Sequence, residues 1–209
     1  MNIYSQLIFP RLLEITMSSK SMASYRQQLL SSVSGDVLEI GFGTGLNLPH
    51  YPDAVTSLTA VDPNEGMSAI AMKRIDASNL PLQTRAVSGE SLPIENNRFD
   101  NVVCTWTLCS IPNAKQALRE AYRVLKPGGK FFFVEHGLSN EPSIQTWQNR
   151  LTPVQRVIAD GCHLNRQIDQ LVEEVFDSVE VETFYASSLP KVMGYFYLGT
   201  GLKNATPAG

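Results

Sequence analysis

The stretch "DVLEIGFGTGLNLPHYP", residues 36–52, constrains the fold more than any other part of the chain. A short apolar run, Val37 to Ile40, ends in three glycines at alternate positions, Gly41, Gly43 and Gly45. A buried strand that opens into such a loop lets a ligand approach backbone directly. The dinucleotide fingerprint G-x-G-x-x-G requires its last glycine at position 46, which here is Leu46. No Lys-Ser/Thr pair follows, so the loop is not a P-loop either.

Strand and helix signals alternate along the rest of the chain. Val37–Ile40, Ser57–Val61, Leu82–Ala86, Asn101–Thr105 and Lys130–Glu135 are short, apolar and rich in β-branched or aromatic residues, as strands buried on both faces are. In "NAKQALREAYRVLKPGG", Ala117, Leu118, Ala121, Val124 and Leu125 share a stripe, and Pro127-Gly128-Gly129 stops the helix. "NRQIDQLVEEVF" reads as a second helix capped by Asn165. "DSVEVETFYAS" and "KVMGYFYLGTG" read as two further strands, paired antiparallel.

The expected fold is α/β: a single doubly wound, Rossmann-like, mostly parallel seven-stranded sheet, with helices on both faces and an antiparallel C-terminal strand. Residues 1–209 form one domain. Within it, 1–33 are a helical lid whose Tyr4, Leu7, Ile8, Leu12 and Ile15 share a face. Residues 34–137 form the ligand-binding core, 138–164 a substrate-covering insertion, and 165–209 the C-terminal helix and strand pair.

Composition narrows the function classes. The 209 residues are 43% hydrophobic and 18% charged, with a net charge of -3, which argues against nucleic acid as the main partner. Three cysteines, Cys104, Cys109 and Cys162, form no disulfide framework, and no zinc-type ligand spacing is present. "LIFPRLLEITM" is too short and too charged to span a bilayer. A cytoplasmic location follows most simply. The oligomeric state, monomer or small homo-oligomer, is not legible.

Two acids refine the ligand. Glu39, just ahead of the glycines, disfavours a pyrophosphate and suits a cation. Asp62, ending the second strand in "LTAVDPNEGM", stands where a carboxylate accepts ribose hydroxyls. A ribose and a positive charge without phosphate describe S-adenosylmethionine. A dehydrogenase is disfavoured by Leu46.

Four stretches in order, "LEIGFGTG", "VDPNEGM", "GESLPIENNRFDNVVCTWTLCSI" and "REAYRVLKPGGKFFFVEHG", resemble the class I S-adenosylmethionine-dependent methyltransferases over residues 34–137. The resemblance implies that the backbone at Gly41, Gly43 and Gly45 meets the methionine part, with Glu39 acting indirectly there. It implies Asp62 on the ribose with Met67 as an apolar neighbour, Glu90 and Ser91 beside the adenine, and Thr105 and Leu108 along the methyl side.

"NVVCTWTLCSI" and "ADGCHLNRQ" resemble the methyltransferase-like thiol methyltransferases, which methylate small thiols and sulfide. Their hydrophobic membrane-anchoring leader is not expected in this chain, which puts membrane association in doubt. "GFGTGLNLPHYP" equally resembles bacterial phospholipid N-methyltransferases, for which the helix around Leu7–Ile15 would lie on a membrane. Peripheral membrane contact is therefore kept open but not favoured. "RVLKPGGK" is shared with quinone C-methyltransferases and is generic to the fold. The expected activity is methyl transfer to a small-molecule acceptor, a thiol or sulfide first and a phosphatidylethanolamine amine second. A cofactor-binding module without turnover is the non-enzymatic reading.

Candidate catalytic residues are His136, at the end of the fifth strand, and Asp160, Cys162 and His163 in the insertion. A thiol acceptor, with a pKa near 8.5, needs little base assistance. Cys104 reads as core. Cys109 with Cys162 suggests arsenic binding only if a third partner joins them, so no metal is expected.

Overall fold

The computed structural model describes residues 8–205, without the side chains of residues 65–69. Tyr4, Leu7 and the side chain of Met67 therefore lie outside the described residues.

Seven strands make one sheet: β1 (Gly35–Ile40), β2 (Val55–Val61), β3 (Leu82–Arg85), β4 (Phe99–Thr105), β5 (Leu125–His136), β6 (Ser178–Tyr185) and β7 (Tyr195–Leu202). Their order is β3-β2-β1-β4-β5-β7-β6. β1 to β5 run parallel, and β7 pairs antiparallel with both β5 and β6. The strand order reverses between β1 and β4, so the crevice outside their carboxyl ends is the ligand position in such a sheet.

Side chains alternate across β5. Phe131 and Phe133 pack with Leu38, Cys104 and Leu118 on one face, while Phe132 and Val134 pack with Val37, Leu58 and Leu30 on the other. Helix α4 (Ala114–Val124) contributes Ala114, Leu118, Ala121 and Val124 to the first layer, and Ala117 of the same stripe is also buried. Asn113 caps α4 by accepting from the Gln116 N–H. On the opposite face lie α2 (Lys20–Leu30) and α3 (Glu65–Asp76).

Three expectations need correction. The turn at Pro127–Gly129 falls inside β5: Leu125 pairs with Phe99, the chain kinks, and pairing resumes at Lys130 opposite Asn101. The last helix, α6 (Ile168–Glu173), is short, and Asn165 does not cap it. Asn165 bonds Asn149 instead, and the Arg166 carbonyl accepts from the Leu138 N–H at 2.7 Å, which commits this segment to the end of β5. Finally, on α1 (Phe9–Met17), Ile8, Leu12 and Ile15 are exposed, so the described part of that apolar face points to solvent. α1 is held instead by Glu14, paired with Arg74 of α3, whose guanidinium also donates to the Thr44 carbonyl at 2.9 Å.

The insertion is mostly one helix, α5 (Pro142–Ile158). Its fully buried Gln148 accepts from the Ser139 N–H and donates to the carbonyls of Gly137 and Val192. These bonds seat α5 against the carboxyl end of β5. No helix among the described residues is long and apolar enough to cross a membrane.

Candidate active site

The glycine loop leaves β1 with Gly41, Gly43 and Gly45 all at positive φ, a region that side-chain-bearing residues rarely adopt. A Cβ on Gly41 would collide with Thr107, whereas one on Gly43 would meet nothing within 4 Å. Gly41 thus allows the β1 and β4 loops to touch, and Gly43 faces open space.

Asp62 organises this loop. Its Oδ2 accepts the Gly43 N–H and its Oδ1 the Asn64 N–H, both at 2.8 Å. Burial nevertheless raises its pKa, and Asp160, at the end of α5, pushes the same way. The insertion therefore brings a second carboxylate towards the cofactor loop.

Glu39 is fully buried beneath the glycines. It accepts from Asn47 Nδ2 at 2.9 Å and the Tyr51 hydroxyl at 2.7 Å, and Asn47 also donates to Thr105 Oγ1 at 3.1 Å. Burial lifts the Glu39 carboxyl to about 7 in spite of these bonds. Asn47 Oδ1 and Thr44 Oγ1 are buried without a partner. Unpaired acceptors and acids around an open glycine turn fit a ligand carrying ammonium and sulfonium charge.

The second wall follows β4. Glu135, buried and next to the end of β5, accepts the N–H groups of Thr107, Leu108 and Cys109 at 2.8, 2.9 and 3.2 Å. Leu108 itself packs into the core, so its backbone rather than its side chain is held here. Trp106 adopts φ 49°, an outlier for a bulky residue. The guanidinium of buried Arg26 lies 4.7 Å from the centre of its ring, and Phe196 meets it edge-on. Arg26 also donates to the Met17 carbonyl, and burial lowers its pKa to about 10.

Glu90 bridges two loops, accepting from Ser88 Oγ and from the Asn113 N–H at 2.7 Å. Ser91 is exposed beside it, with its N–H on the Ser88 carbonyl. Their carboxylate and hydroxyl border the loop between β3 and β4.

His136, Cys162 and Cys109 meet. Cys162 Sγ lies 3.5 Å from Cys109 Sγ and 3.5 Å from His136 Nδ1, and His136 Nε2 is buried without a partner. The contact between the two thiols is the largest influence on both, pushing the Cys109 thiol up and the Cys162 thiol down. These three residues, drawn from different elements, could together hold a metal ion. His163 anchors the arrangement through its N–H and Nδ1, both on the Cys109 carbonyl, at 2.8 and 3.2 Å. A carbonyl only accepts, so Nδ1 carries the proton and Nε2 keeps its lone pair. Asp160 and Gly161, both at positive φ, turn the chain from α5 into Cys162.

Comparison with known proteins agrees with this geometry. The profile described as "Methyltransferase domain" matches residues 38–133. The rat protein named thiol S-methyltransferase TMT1B is 37% identical over 180 residues, 79% of this chain and 72% of its own length. The chain belongs to the class I S-adenosylmethionine-dependent methyltransferases. Its methyl donor is S-adenosylmethionine. A phosphatidylethanolamine N-methyltransferase from Cereibacter sphaeroides is more distant, 27% identical over 67% of this chain and 68% of its own. Among solved structures, an S-adenosylmethionine-dependent methyltransferase from Thermotoga maritima superposes with a TM-score of 0.68 at 21% identity, covering 97% of this chain and 98% of that one. The fold of this methyltransferase is thus shared far beyond its sequence relatives.

Arg26, Asn47, Tyr51 and Glu135 carry no signal of a site role in the sequence. Asn47 and Tyr51 lie within the glycine stretch itself, and Glu135 adjoins His136, so only their bonding was hidden.

Proposed function

We propose that this methyltransferase acts on a small thiol or on sulfide. The observation that carries the reading is the likeness to thiol S-methyltransferase TMT1B, which at 180 residues extends well past the core at 38–133. The chemistry of the acceptor end supports it. Glu135 is committed to three backbone N–H groups, so the groups left to handle a proton are Asp160 and the imidazoles and thiols of the cover.

When bound, S-adenosylmethionine supplies a methyl carbon activated by its cationic sulfur. The backbone at Gly41, Gly43 and Gly45, with Glu39 behind it, holds the amino-acid end. Asp62 takes the ribose, Glu90 and Ser91 the adenine edge, and Thr105 the methyl side, with Met67 an apolar neighbour. Leu108 shapes the same wall through its backbone. On the acceptor side His163 Nε2 takes the thiol proton, Asp160 and Cys162 line the cover, and His136 braces Cys162. Alignment and exclusion of water by α5 supply the remaining rate enhancement.

The runner-up is phospholipid amine methylation. Trp147, Val154 and Val157 are exposed on α5, the helix that covers the crevice, and would suit a lipid surface. The test offers alkyl thiols, sulfide and phosphatidylethanolamine vesicles separately, with methyl-labelled cofactor. Labelled thioether from the alkyl thiols, or labelled methanethiol from sulfide, without labelled lipid supports the thiol reading. Labelled lipid alone replaces it.

A further inference from the structure

We propose that Cys109, His136 and Cys162 form a binding site for a soft divalent d10 cation of the zinc class. The three residues come from the turn after β4, the last position of β5 and the segment after α5, and all are buried. Their ligand atoms lie within 4.8 Å of one another. Zinc bonds of about 2.3 Å to sulfur and 2.0–2.1 Å to nitrogen give tetrahedral edges of about 3.8 Å for S···S and 3.6 Å for S···N. The two edges at Cys162, both 3.5 Å, match that polyhedron closely. The third edge, between Cys109 and His136, lies within 4.8 Å, so a small inward shift of one side chain completes the triangle.

Charge and scaffold agree with the geometry. Two thiolates and a neutral imidazole around a divalent cation sum to zero, which suits a buried position. The Cys109 N–H is fixed by Glu135, its carbonyl by His163, and the Cys162 N–H by the Ala159 carbonyl at 3.1 Å. Metal entry displaces the thiol protons of Cys109 and Cys162. Three protein ligands leave the fourth position for water or a small ligand.

The test uses the full chain, reduced with a phosphine and stripped by a chelator, titrated with Co2+ and separately with Cd2+. Expected are visible tetrahedral Co2+ bands and thiolate-to-metal charge-transfer absorption that saturate at one ion per chain. Cys109→Ser and Cys162→Ser each remove the charge-transfer band, or shift its midpoint at least about tenfold, while His136→Ala alters the visible bands. Wild-type chain that shows no such absorption overturns the site, whatever the variants do. So does an unchanged band in the Cys109→Ser/Cys162→Ser double variant. Binding of S-adenosylmethionine, measured on each variant, confirms that it is folded, and the readout is independent of which acceptor the enzyme methylates.

Discussion

Asp62 Oδ2 accepts the backbone N–H of Gly43 at 2.8 Å, so the acid at the end of β2 fixes the loop at the end of β1. The carboxylate assigned to the ribose is also part of the cradle. Asp62→Ala therefore leaves two N–H groups without their acceptor, at a cost of about 1–3 kcal/mol. Cofactor affinity by calorimetry should fall roughly 10- to 100-fold, the range for a lost bond to a charged group. The thermal midpoint should fall with it. Unchanged affinity would remove Asp62 from the ribose.

Glu39 predicts opposite pH trends for stability and binding. Its folded pKa, about 7, stands above the unfolded value of 4.5, so the folded apo chain holds this proton more tightly. Its contribution to stability is complete below about 4.5 and is lost as pH rises through about 7, roughly 3 kcal/mol in all. A cationic cofactor favours the ionised carboxylate, so binding should be roughly tenfold weaker at pH 6 than on the plateau above 8. Glu39→Gln should abolish both slopes, read by denaturant titration and calorimetry.

Glu135 is a test of the wall after β4. Glu135→Gln keeps the shape but turns an amide donor towards one of three N–H donors. A loss of about 1–3 kcal/mol in unfolding free energy is expected. If the denaturation midpoint stays put, another group holds the Thr107–Cys109 turn.

His163 should set the acid limb of the rate. Burial, and then Arg166, hold its pKa below 6.5, so the imidazole is neutral at pH 7 and ready to accept a proton. In wild type, kcat/KM should fall as pH drops through that lowered pKa. His163→Gln should flatten this limb and slow turnover about a hundredfold, at the low end for a general base. An acid limb that survives in the variant assigns the proton to another group.

The sheet was legible because four of its five parallel strands are apolar runs flanked by glycine, proline or polar turns; β3, with the sequence LQTR, is a largely exposed edge strand. Glycine spacing and the acids at 39 and 62 were enough to name the donor. What escaped was long-range bonding. Nothing local marks Glu135 as the acceptor for three N–H groups nearly thirty residues earlier, or Arg26 as the cation against Trp106. Asn165 carried a valid capping signal, but the Arg166 carbonyl was recruited by the Leu138 N–H, and that tertiary bond outweighed local preference. Met67 lies among the side chains the structure does not describe. The third partner for Cys109 and Cys162 had no local signal, because His136 stands 26 residues before Cys162 and at no ligand-like spacing from either cysteine.

The missing side chain at Gly41 lets the β1 loop press against Thr107. Donor-side and acceptor-side walls are thereby locked at one separation, with no slack for a bulkier residue between them. Changes in the helix and turn between Pro142 and Cys162 can therefore redraw the acceptor side while the reacting carbon keeps its address.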